Sequence, residues 1–243
     1  MIDLFFTTSP NVYKISIALE EMGLAYAMCP VDISQGEHLK PENIGYAASP
    51  KLPVIRDNDP VDGGEPMVIF ESGAILEYLA EKTASFMPRD LRARYEVKQW
   101  LYWQMAGLGP MGGQQWHFTK WAPRIAPDMD HSYALTRFSK IWSGLWRVME
   151  DRLSDRPYLA GDYSIADMAC FPWAIYMEPK DGIDRYPKVS RWVEAIAERP
   201  AVKRAYARGL EVDMGYERND LGTAIFPAEG LLRHVIVRGD EPA

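Results

Sequence analysis

The chain reads as an α/β domain followed by an all-helical one, and three observations predict this. Residues 1–31 alternate strand, turn, helix and strand. Residues 68–82 run from a short apolar strand into an apolar helix. From residue 91 onward apolar side chains recur at helical spacing.

The opening strand is Met1-Ile2-Asp3-Leu4-Phe5-Phe6, followed by the polar turn Thr7-Thr8-Ser9-Pro10-Asn11. Val12, Ile15, Ser16 and Leu19 then mark a helix that stops at Gly23, and Ala25 to Val31 is a second strand. In such a βαβ unit the first turn lies at the carboxyl edge of the sheet, where α/β folds bind ligands. Ser9 can offer a hydroxyl there and Asn11 an amide NH2. Both residue types also serve as ordinary helix caps.

Lys51-Leu52-Pro53-Val54-Ile55 is an apolar strand start carrying a proline. A proline forces the preceding residue into extended geometry. Within a strand-like run it belongs at the first residue, an edge or a bulge. An edge keeps free backbone groups that can pair with a peptide-like ligand. By itself Pro53 reads more simply as a turn proline. Val68-Ile69-Phe70 reads as a short buried strand, and Ser72 precedes Ala74, Ile75, Tyr78 and Leu79 at helical spacing. Serine is a preferred N-cap. The first N–H groups of a helix are unsatisfied and its dipole end is positive, which suits an anion. Glu71 beside it can pair with an ammonium group. Together the two stretches suggest a pocket for an extended peptide backbone at one end and a carboxylate at the other. Without the Pro53 segment, Glu71 and Ser72 merely start a helix.

The first domain is expected over residues 1–82, a linker with Pro88 over 83–90, the helical domain over 91–210 and an extension over 211–243. One helix is expected from Leu91 to Gly107, bent at Gly107-Leu108-Gly109-Pro110, and another from Tyr133 to Leu153. Ser164-Ile165-Ala166-Asp167 has the form of a capping box, so Asp167 is structural and lies outside the site. Pro187–Arg199 and Ala201–Leu210 complete the helices. Trp100 and Trp103 read as core or interface. The glycines at 107, 109, 112 and 113 thin out side chains, leaving room for an apolar co-substrate walled by Met111, Gln114 and Trp116. His117 and His131 read as satisfied or solvated histidines. The extension is too apolar for plain disorder.

Cys29 and Cys170 are isolated in apolar runs and read as inert core thiols in a reducing compartment. With 27 basic and 34 acidic residues the net charge is −7, which argues against nucleic acid or an anionic membrane as partner. No apolar run approaches a membrane span. The N-terminus has no basic region and does not read as a signal peptide. A cytoplasmic enzyme without a metal is expected.

In this order the pieces resemble the glutathione transferases over nearly the whole chain. Within that family the likeness is to the bacterial nu-class, the glutathione-dependent disulfide-bond reductases related to the yeast nitrogen-regulation prion protein. Met1–Leu4, Ser9-Pro10-Asn11, Asp62-Gly63-Gly64-Glu65-Pro66, Gln99–Gln104 and Gly107–Met111 carry it. The resemblance implies a thioredoxin-like first domain with Leu52–Pro53 as its cis-proline strand start, a helical second domain and a homodimer. Leu52 and Pro53 would hold the cysteinyl part of glutathione. Glu71 and Ser72 would take the γ-glutamyl end, with Lys51 and His38 near the glycyl carboxylate and Ser9 and Asn11 facing the sulfur. No protein cysteine is then needed, because glutathione brings the sulfur.

The implied activity is disulfide reduction or transfer of glutathione to an electrophile. Glutathione removal from aromatic thioethers, and a non-catalytic regulatory role on the same scaffold, are the alternatives. The chain departs from its relatives at Ser9 (usually Thr), His38 (commonly Gln), Ser49-Pro50 before the lysine (often Asn or Gly) and Ser132 (where an arginine can occur). These departures bear on glutathione affinity and not on the fold.

Overall fold

A computed structural model describes residues 1–176 and 179–212, with the backbone of two short strands, Glu217–Arg218 and Ala224–Ile225. The rest of the expected C-terminal extension lies outside the described residues.

The first domain is thioredoxin-like. A four-stranded sheet runs in the order β2-β1-β3-β4, from β1 (Ile2–Phe6), β2 (Tyr26–Pro30), β3 (Val54–Asp57) and β4 (Met67–Phe70). β1 and β2 are parallel, joined by helix α1 (Pro10–Glu21), as the βαβ reading requires. The other pairings are antiparallel.

Two strand readings need correction. β3 is not an edge: Val54 pairs with both Phe5 and Phe70. The free backbone lies just ahead of β3, at the cis Leu52–Pro53 peptide, because both ladders begin only at Val54. β4 is an edge instead, opposite β2, and its end residues Met67 and Phe70 are each 37% exposed.

Helix α2 (Ser72–Thr83) closes the first domain, and α3 (Leu91–Trp103) opens the second under an Asp90 cap whose carboxylate accepts from the Ala93 N–H at 3.0 Å. The helix does not end near Gly107. It continues through a π-helical stretch (Gln104–Leu108), α4 (Gly109–Trp116), a second π stretch (His117–Trp121) and α5 (Ala122–Ile125). The glycines serve packing as much as space. A Cβ at Gly112 would stand 2.8 Å from the rings of both Trp142 and Trp173. Trp100 and Trp103 meet edge to face at 5.3 Å against the core.

Helices α6 (Ser132–Arg152), α7 (Ile165–Tyr176), α8 (Pro187–Ala197) and α9 (Pro200–Glu211) follow. α7 is the central post, buried continuously from Ile165 to Ala174. Asp167 performs the expected capping and more. Its carboxylate accepts from the Ser164 N–H and hydroxyl at 3.0 and 3.2 Å, the Leu159 N–H at 2.9 Å and the Trp192 indole at 2.9 Å. α1 packs on α7 and α9, joining the domains, and Arg199 of the α9 cap grips Glu21 with two nitrogens at 2.5 and 2.8 Å.

Cys170 is fully buried, as expected, whereas Cys29 is only half-buried. Burial raises both thiols above their ordinary pKa. Among the described residues no helix is long and apolar enough to cross a membrane, and no cluster of metal-ligating side chains occurs.

Candidate active site

An open cleft of about 460 Å³ separates the domains, with Asn11, Lys51, Glu71 and Ser72 on one wall and Gln104, Met105, Met111, Gln114 and Trp173 on the other. A smaller hollow of about 80 Å³ adds Ser49, Leu52 and Pro53 at the same corner, sharing Asn11, Lys51, Glu71 and Ser72. The topology explains the convergence. The β1–α1 turn, the segment before β3 and the start of α2 all reach the same end of the sheet.

Glu71 caps α2 without a side-chain hydrogen bond, at φ +71°. A bulky residue with positive φ is strained, and such strain concentrates at ligand sites. Ser72 is therefore not the N-cap but the first residue of the helix. It is buried, and its hydroxyl accepts from Lys14 Nζ at 3.2 Å instead of capping the backbone. The orphan N–H groups at the α2 start stay available to an anion.

Asn11 is held by a residue the sequence reading passed over. Trp173 Nε1 donates to Asn11 Oδ1 at 2.9 Å. An indole N–H can only donate, so the contact fixes the amide oxygen on the tryptophan and leaves the NH2 as a donor for the cleft. Trp173 lies deep in α7 and is 162 positions away in sequence, which hides the pairing from any local pattern.

Ser9 does not share the Asn11 cleft. Its hydroxyl caps α1, accepting from the Val12 N–H at 3.4 Å, and it lines a separate tight recess of about 10 Å³ with Tyr13, Pro172, Tyr176 and Tyr206. Of the proposed wall, Met111 and Gln114 line the cleft, but Trp116 packs on Tyr176 at 4.4 Å and does not. His38 sits buried in the 3-10 turn Glu37–Leu39, where burial lowers its pKa, and it is not among the cleft-lining residues. Ser132 bonds Asp130 at the start of α6. His131 Nε2 lies 2.9 Å from the Ala126 carbonyl, and His117 is flanked edge-on by Phe118 and Trp121. Neither histidine belongs to the cleft.

Lys14 and Gln104 were also missed. Lys14 is 1% exposed on α1 yet contributes to the cleft wall. The available signal was a lysine inside the apolar run Val12–Leu19.

Residues 3–81 match the glutathione S-transferase N-terminal domain and residues 133–195 the glutathione S-transferase C-terminal domain. The disulfide-bond oxidoreductase YfcG of Escherichia coli K12 is 43% identical over 222 residues, covering 90% of this chain and all of that protein. The disulfide-bond oxidoreductase YghU of the same organism is 34% identical over 219 residues, 84% of this chain and 73% of that one. Among solved structures, a glutathione transferase family member from Pseudomonas fluorescens with two glutathione bound superposes with a TM-score of 0.78. It is 37% identical, covering 84% of this chain and 91% of that one. A glutathione transferase from Pseudomonas putida, with one glutathione disulfide bound per subunit, has the same TM-score and identity, covering 84% and 90%.

Proposed function

Because the chain belongs to the glutathione S-transferase family, we propose that it binds glutathione in the interdomain cleft and uses the bound thiolate to reduce disulfides or to attack electrophiles. The γ-glutamyl carboxylate docks on Ser72 and the first N–H groups of α2, and the ammonium on Glu71. The cysteinyl backbone follows Leu52 and Pro53, the glycyl carboxylate approaches Lys51, and the sulfur meets the Asn11 NH2. Ser9 contributes by capping α1, the helix whose first turn carries Asn11. Met111 and Gln114 wall the co-substrate side. The observation that carries this reading is the Trp173–Asn11 bond, which presents an amide donor opposite the anion-ready start of α2.

The chemistry follows from thiol acidity. A thiol of reference pKa about 8.5 is mostly protonated at neutral pH, and the thiolate is the nucleophile. A donor aimed at sulfur favours the anion. The thiolate attacks one sulfur of the disulfide, expels the other as a thiolate, and forms a mixed disulfide. A second glutathione thiolate then attacks it, releasing the remaining thiol and glutathione disulfide. Relatives holding two glutathiones, or one glutathione disulfide, support reduction over conjugation. Assay of the purified protein with reduced glutathione and a small disulfide, and separately with an aryl halide, tests this. Glutathione-dependent turnover of the disulfide is expected, and failure with both substrates contradicts the reading.

Trp173→Phe removes the indole donor while keeping an aromatic in the core. Losing one neutral hydrogen bond, at about 1 kcal/mol, is expected to lower kcat/KM roughly fivefold with the thermal midpoint little changed. Steady-state kinetics beside a melting curve checks it.

We further propose membership of the nu-class, a cytoplasmic location and a homodimer. The exposed Met67 and Phe70 on β4 and Tyr102 on α3 support a partner surface. Light scattering at micromolar concentration should report twice the 27.7 kDa chain mass.

A further inference from the structure

Lys14 is a buried cation whose hydrogen-bond partners among the described residues are all uncharged: Gln104 Oε1 at 2.6 Å, Ser72 Oγ at 3.2 Å and Met105 Sδ at 3.8 Å. A buried ammonium held only by neutral groups is unfavourable. Burial brings its pKa down to about 7, opposed by the Cys170 thiol of α7 and the Glu71 carboxylate at the start of α2. The exposed Lys51 shares the cleft wall. Gln104 accepts from Lys14 with its oxygen, and among the described residues its buried Nε2 has no hydrogen-bond partner. The site is thus built around an anion, with Lys14 one hydroxyl behind the place where a carboxylate would meet Ser72.

We propose that Lys14 is a positioning residue that serves as the counter-charge for the carboxylate of the ligand's glutamyl end, taking up a proton as that carboxylate docks on Ser72. The inference rests on the proposed glutathione site and adds a proton to its binding equilibrium. A carboxylate close by in a low-dielectric wall favours the ammonium, and the ammonium fixes the Ser72 oxygen as acceptor. The Ser72 O–H donates to Met105 Sδ at 3.4 Å in the empty site and exchanges this weak sulfur acceptor for the ligand carboxylate on binding. The sign follows. Below pH 7 Lys14 is already charged in the empty site, and binding takes up little. Above pH 7 it is mostly neutral when empty and charged when occupied, so affinity falls as pH rises.

The test is calorimetry of the full chain with S-methylglutathione, which has no ionisable thiol, in phosphate and in Tris buffers at pH 7.5 and pH 6. Uptake of about 0.7 proton per site is expected at pH 7.5 and less than about 0.2 at pH 6, given a free-state pKa of about 7. The uptake should vanish in Lys14→Met and persist in His38→Gln. Binding without proton uptake at pH 7.5 overturns the inference and leaves the glutathione site standing, as does uptake that survives Lys14→Met or disappears with His38→Gln. Absence of binding by the unaltered protein overturns both. The two-pH comparison needs no variant, so it decides even if Lys14→Met does not fold.

Discussion

Replacing Asn11 with alanine should raise the pKa of the bound glutathione thiol by about one to two pH units and lower kcat/KM at neutral pH by roughly 10- to 100-fold. A hydrogen bond to a charged group contributes about 1.5–3 kcal/mol, and each pH unit of thiol acidity corresponds to about 1.4 kcal/mol. Asn11→Asp makes the sharper comparison. It keeps an oxygen for the Trp173 indole, 2.9 Å away in the native protein, and so preserves the packing. It exchanges the NH2 for a carboxylate oxygen beside the sulfur. Like charge there disfavours the thiolate, so Asn11→Asp should lose at least as much activity as alanine. Titration of the thiolate absorbance of the glutathione complex checks both variants. An unchanged profile in either removes Asn11 from the mechanism.

Asp167→Ala should cost the fold about 3–5 kcal/mol, the loss typical of breaking a buried charged network. Its carboxylate serves four donors from three segments: Leu159, Ser164 twice, and Trp192 of α8. Alanine strands all four in an interior where Asp167, Ile165 and Trp192 are completely buried. Burial pushes the Asp167 pKa up to about 6, which still leaves it ionised and accepting at neutral pH. The expected fall in the thermal midpoint is roughly ten degrees or more for a chain of this size. A shift of a degree or two would show that the capping box is dispensable.

Much of the fold was legible because its signals are local. The βαβ opening, the capping box at Ser164–Asp167 and the helix boundaries near Leu91, Pro187 and Pro200 each rest on residues within a few positions of one another. The errors came where long-range partners decide. Val54 lies in a central strand because Phe5 and Phe70 flank it, which no window around Pro53 contains. Ser72 is a buried hydrogen-bond partner and not an N-cap because Lys14 comes from another helix. The glycines of α4 accommodate tryptophans from α6 and α7. The cleft residues Asn11, Lys51, Glu71 and Ser72 were legible by residue type and by position at strand ends. Trp173, Lys14 and Gln104 were not, since each looks like an ordinary helical residue until the helices pack.

The most direct test of the central claim is a crystal structure of the protein with reduced glutathione. The account predicts the tripeptide extended across the cleft, its glutamyl carboxylate on Ser72 and the start of α2, its backbone along Leu52, and its sulfur within hydrogen-bond distance of the Asn11 NH2. A tripeptide bound with its glutamyl end away from Ser72, or a cleft empty at saturating glutathione, would contradict it.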